Sequence, residues 1–171
     1  MENTVQLESP AEEAAESIQE QLDLLTKEAE VLGTLIQEKE YLIDIDSFTV
    51  FKNIMKRIEH SVEWSNSDVA GIVMLYQALK EQKEKPALQK ECKLTLKTTN
   101  TVVLYKLLLS MKGKGYFEAR EHLQILTAVG KSLSAAVQAI EEDNKSLREL
   151  HVKLTELDTK LLAKKEGLKI A

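Results

Sequence analysis

The sequence predicts an all-α protein: a helical bundle head with a long antiparallel coiled-coil-like pair formed by the N- and C-terminal helices. Three observations carry that expectation. Glycine and proline number only 6 and 2 among 171 residues, too few for the turns of a many-stranded β fold. Leu, Lys, Glu, Ala and Gln dominate, and these are good helix formers. Apolar residues recur at steps of three and four near both ends of the chain, the spacing that keeps one helix face turned to a partner.

Residues 1–8 lack periodicity and are expected to be a disordered tail. Ser9-Pro10-Ala11-Glu12 reads as a helix start, with Ser9 as N-cap, Pro10 at the first helical position and Glu12 closing a capping box. Ala11, Ala15, Ile18, Leu22, Leu25, Ala29, Leu32 and Ile36 then form a heptad seam. Lys39 interrupts it and Ile43 resumes it, so an N-terminal coiled-coil helix is expected over 9–43. Leu24, Val31, Leu35 and Leu42 widen the stripe beyond what one partner helix covers. Gly33 inside this helix costs ~1 kcal/mol relative to alanine.

A helical head is expected over 46–139. Asp44, Asp46 and Ser47 end the first helix and can cap a second from Phe48 to Trp64. After a turn at Ser65-Asn66-Ser67, a third helix runs from Asp68 to Lys83. It is apolar almost all round between Val69 and Leu79, the mark of a central, well-buried helix. Lys85-Pro86 breaks the pattern. Leu94-Thr95-Leu96 alternates like a strand, but no pairing strand is evident, so Ala87–Asn100 is read as a short helix or connector. A fourth helix ends near Met111, and Lys112-Gly113-Lys114-Gly115 is a turn. The stretch Val73–Lys85 repeats in outline at Val102–Lys114, which two amphipathic helices ending in lysines also produce by chance.

The last helix is expected from Tyr116 to Lys165, its C-terminal coiled-coil extension occupying 140–171. The seam continues through Ile140, Leu147, Leu150, Leu154, Leu157, Leu161 and Leu168, broken in chemistry at Asp143 and Lys164. At 1.5 Å per residue, ~50 residues make a rod of ~75 Å, longer than a compact domain of this size is wide. The residues assigned to self-association or partner docking are Ile18, Leu22, Leu25, Leu32 and Ile36 with Leu147, Leu150, Leu154, Leu157 and Leu161.

Charge is uneven. The net value of −5 divides into −11 over residues 1–46, +6 over 47–140 and zero over 141–171. Lys80, Lys83, Lys85, Lys90, Lys93, Lys97, Lys112 and Lys114 cluster in the middle as a candidate phosphate or nucleic-acid patch, diluted by Glu81, Glu84 and Glu91.

No catalytic signature survives inspection. Gly130-Lys131-Ser132 resembles the end of a phosphate-binding loop, but Ile125 stands where that motif needs glycine, and the segment is helical. It reads instead as a surface lysine beside a close-packing glycine. Glu118 and His122 lie four apart on one helix face, yet the chain has no Glu-x-x-His and no partners at metal-ligand spacing. That pair reads as a surface helix contact. Cys92 is the sole cysteine, which fits a reducing compartment. The acidic N-terminus is no secretory signal, and no uninterrupted apolar run nears the ~20 residues of a membrane span.

The expectation is a non-enzymatic structural or scaffolding protein without metal or cofactor. It would be cytoplasmic and make no use of a membrane, acting on itself as a homo-oligomer or on another helical protein. The alternative is a nucleic-acid-associated accessory protein that uses the lysine-rich middle, for instance in a viral particle.

Overall fold

The computed structural model describes residues 10–60, 66–82, 91–110 and 115–170. These form helix α1 (Pro10–Glu38), strand β1 (Glu40–Ile45), α2 (Phe48–His60), α3 (Asn66–Lys80), strand β2 (Cys92–Lys97), α4 (Thr98–Ser110) and α5 (Tyr116–Ile170). The fold is thus mostly α, as the sequence predicts. The expected tail and the Ser9 cap lie outside the described residues.

The two strands are the main departure. The first helix ends at Glu38, not at residue 43, and Glu40–Ile45 pairs antiparallel with Cys92–Lys97. Tyr41, Ile43 and Ile45 alternate with Glu40, Leu42 and Asp44, so one face is buried and the other solvated. Ile43 lies seven residues after Ile36 and mimicked a resumed heptad; its burial belongs to a period of two. The segment around Leu94-Thr95-Leu96 is neither helix nor connector, because Leu94 faces Ile43 and Leu96 faces Tyr41 in register.

Both edges of this ribbon are held by side chains. Thr95 N–H donates to Gln82 Oε1 and Gln82 Nε2 donates to Thr95 C=O, both at 3.2 Å. One carboxamide thereby stands where a neighbouring strand's peptide group would. On the other edge Asp44 N–H donates to Ser132 Oγ at 3.0 Å, and Ser132 Oγ donates to the Val129 carbonyl. Thr95 and Asp44 therefore direct their backbone groups away from the ribbon, which leaves Tyr41/Leu96, Ile43/Leu94 and Ile45/Cys92 as the pairs in phase to exchange ladder bonds. Capping the edges in this way satisfies polar groups that a two-stranded sheet otherwise exposes.

The described chain divides into two compact units: one is Ile36–Glu142, the other the chain up to Leu35 together with that from Asp143 onward. In the first, the inner face of the ribbon packs with Phe51, Ile54 and Ile58 of α2, Ile72, Leu75 and Leu79 of α3, Leu104, Leu107 and Leu108 of α4, and Ile125, Val129, Leu133, Ala136 and Ile140 of α5. Each fully buried Leu or Ile contributes ~1.5–3 kcal/mol relative to exposure. Ser47 caps α2 through its carbonyl and hydroxyl, which accept from the Phe51 and Val50 amides. Thr98 opens α4 and donates to the Ile36 carbonyl at the end of α1. α3 is not wrapped on all sides: Val69, Val73 and Met74 are exposed, and only the Ile72, Leu75 and Leu79 face is buried. Gly71 lies against α4, where an added Cβ would meet Val103 Cγ2 at 3.0 Å, so this glycine lets the two helices approach closely. Leu75/Leu104 and Leu79/Leu108, equivalent in the repeated stretch, are all buried, as any two helices in the same phase would have them.

In the other unit Ala29, Leu150 and Leu161 are buried. A Cβ at Gly33 would meet Leu147 Cδ2 at 4.0 Å, an ordinary contact. Gly33→Ala therefore removes backbone freedom from the unfolded chain without a clash. It should raise stability by about 0.5–1 kcal/mol, read as a higher urea midpoint at unchanged slope.

By length and composition alone, α5 is long and apolar enough to cross a membrane. Within that stretch Ile125, Val129, Leu133, Ala136 and Ile140 are packed in the core of the Ile36–Glu142 unit.

Candidate interaction surfaces

The seam residues differ in burial. Leu150 and Leu161 are buried, and Ile18, Leu22, Leu25, Leu32, Leu147, Leu154 and Leu157 are half-buried. Ile36 is buried within the Ile36–Glu142 unit. In the unit formed by residues up to Leu35 and from Asp143 onward, a second set is uncovered. Leu24, Val31 and Leu35 of α1 are 67, 60 and 61% exposed, and Val152 and Leu162 of α5 are 58 and 55% exposed. At 3.6 residues per turn, the three α1 residues fall within ~40° of one another, on the side opposite Ala29. Val152 likewise lies opposite Leu150 and Leu161. The widening of the α1 stripe was legible in the sequence. Val152 and Leu162 were not singled out, because they sit off the α5 heptad; their apolar character among charged neighbours was the available signal.

Around Val152 the surface of α5 forms a shallow furrow of about 710 Å³. Arg148, His151 and Lys160 border it with Glu156, and Thr155 and Thr159 line it. Both threonine hydroxyls are turned back to their own helix, donating to the His151 and Thr155 carbonyls at 2.9 and 2.8 Å. The lining is mainly apolar, and its charged side chains are Arg148, Lys160 and Glu156.

The lysine patch is less basic than its sequence. Lys83, Lys85, Lys90, Lys112 and Lys114 lie outside the described residues. Lys97 pairs with Glu38 at 2.6 Å, and this partner, by hydrogen bond and by charge, raises the lysine above its usual pKa, with Glu40 adding to the effect. Lys93 stands opposite Asp44 in the strand register, and the outward pairs Glu40/Lys97 and Asp44/Lys93 set opposite charges side by side. Lys80 sits over the Tyr76 ring, 4.3 Å from its centroid. Lys93 and Lys97 do share a cleft of about 730 Å³ with Glu40, Glu81 and Asn100, so its walls carry both signs of charge.

The remaining sequence candidates resolve into structural roles. Ser132 of the Gly130-Lys131-Ser132 stretch caps the β1 edge, and a Cβ at Gly130 would meet nothing within 4 Å. Gly130 is therefore not a close-packing glycine. His122 is half-buried rather than a surface residue, and its Nδ1 has no partner. Arg57 bridges to the same turn of α5, donating to the Glu118 carbonyl at 3.0 Å and pairing with Glu121 at 3.6 Å. Among the described residues no three His, Cys, Asp or Glu side chains converge as a metal site.

Burial, and secondarily the Arg57 charge, hold His122 below the usual histidine pKa against the opposing pull of the Leu108 carbonyl. The unfolded chain therefore takes up the proton first as pH falls. The neutral imidazole supports the fold above the ordinary histidine value, and that support is lost as pH drops through the lower folded-state value. His122→Gln should flatten the fall in melting temperature between about pH 7 and pH 5, read as a smaller slope than wild type.

Comparison with protein-family models, with curated proteins and with solved structures finds no match to this chain.

Proposed function

We propose that this chain is a non-enzymatic scaffold acting through helix–helix association. In this reading α1 and the C-terminal part of α5 pair as antiparallel coiled-coil-like helices. The approach of Gly33 to Leu147 and the burial of Ala29, Leu150 and Leu161 support that pairing. The observation that carries the function is the line of Leu24, Val31 and Leu35, three large apolar side chains more than half exposed on one side of α1. Such a stripe is removed from water by another helical surface.

The described lysines favour this reading over nucleic-acid binding, since Glu38 engages Lys97 and Asp44 stands opposite Lys93. Phosphate recognition depends on cations that are not already neutralised.

Sedimentation velocity over a concentration series from micromolar to near-millimolar tests the proposal. Average mass should rise with concentration. A constant monomer mass over the whole range would remove self-association.

A further inference from the structure

We propose that the uncovered α1 stripe of one molecule seats on the Val152 furrow of α5 in a second copy of this chain, head to tail. The proposal rests on the assembly reading above and names the partner and the two faces that meet.

Charge selects this pairing. From Pro10 to Leu35 the chain holds seven acidic residues and one lysine, and Glu13, Glu20 and Glu28 border the Leu24/Val31/Leu35 line, with Lys27 on one flank. From Asp143 onward it holds seven basic and five acidic residues, and Arg148 and Lys160 line the furrow beside Val152 against the single carboxylate of Glu156. Seating α1 on the furrow sets carboxylates beside Arg148 and Lys160 and apolar side chains on its mainly apolar lining. Seating α1 on another α1 would set carboxylate rims against each other, which costs free energy instead of releasing it.

The two faces differ and belong to different helices, so the contact is heterologous. Each α1 stripe lies away from Ala29 and each furrow away from Leu150 and Leu161. A molecule whose stripe is used therefore keeps an open furrow. Such a contact adds further copies until a ring closes or a filament extends.

Two substitutions at exposed positions test this without entering a core. Val31→Glu spoils the stripe and leaves the furrow; Val152→Glu spoils the furrow and leaves the stripe. Each variant alone should associate at least tenfold more weakly than wild type by sedimentation, with unchanged far-UV circular dichroism. Mixed in equal amounts, they should form a 1:1 pair and nothing larger, because only one intact stripe and one intact furrow meet. Raising sodium chloride from about 50 mM to about 500 mM should weaken wild-type association several-fold, since opposite charges across the contact are screened.

Association of Val152→Glu at wild-type strength while Val31→Glu stays monomeric would overturn the head-to-tail contact in favour of α1 against α1, leaving the scaffold reading intact. Two monomeric variants that fail to pair when mixed would overturn it as well, as would association strengthened by salt. A wild-type protein that stays monomeric throughout would overturn the contact and, with it, the self-association on which it rests.

Discussion

Replacing Ile43 by alanine should destabilise the Ile36–Glu142 unit by about 2–5 kcal/mol, whereas Leu42→Ala should change stability by less than about 0.5 kcal/mol. Ile43 is 0% exposed and faces Leu94 across the ribbon, while its neighbour Leu42 is 55% exposed on the outer face opposite Thr95. Removing the Ile43 side chain beyond Cβ loses its transfer free energy and leaves a cavity among Leu94, Leu96 and the helices beneath. Those neighbours are held by two strands and four helices and have little freedom to collapse into the gap. Leu42 leaves only solvent behind. The adjacent pair separates a period of two from a period of 3.6, because a helix running through residue 43 would set both leucine and isoleucine along one broad stripe. Urea denaturation measures the contrast. Equal effects at the two positions would reject the strand.

That contrast marks where the sequence was readable. α2 was legible from its Ser47 cap and the Phe51, Ile54 and Ile58 spacing, and α5 from its unbroken three- and four-residue steps. These are local signals, set by propensity and capping within one turn. The ribbon was not legible, because its stability is set by residues some fifty positions apart. Ile43 satisfied a heptad, and Leu94-Thr95-Leu96 alternated with no visible mate. Each half supplied the other's missing evidence, and only the pairing distinguishes them. The edge caps from Gln82 and Ser132 have the same character, since nothing local marks a glutamine as the stand-in for a strand. For the candidate surfaces, periodicity picked out residues of α1 and α5 that are buried or half-buried, and the widened α1 stripe that is exposed. It passed over Val152, whose meaning depends on which side of α5 is turned outward. The burial of α3 was overestimated for a related reason: apolar composition does not fix how many neighbours a helix has, and Val69, Val73 and Met74 face solvent.

Leu161→Asp should unfold the α1/α5 unit while leaving the Ile36–Glu142 unit folded. Leu161 is buried in α5, far along the helix from the residues that pack against α2, α3 and α4. An aspartate there must either lose its hydration or separate the helices, at a cost of about 2–4 kcal/mol. The short unit has few buried side chains to offset such a cost, and local unfolding selects the region of least buried apolar area. Amide hydrogen exchange should show protection lost over residues 10–35 and 143–170 and retained from 36 to 142. Acid should partly restore it, because a neutral carboxyl is cheaper to bury than a carboxylate. Val152→Asp, on the exposed side of the same helix, should leave exchange in the isolated molecule nearly unchanged. Loss of protection over 143–170 with 10–35 still protected would mean that α1 draws no stability from α5. The proposed antiparallel pair, and the reading of the outward-facing stripes that depends on it, would then have to be abandoned.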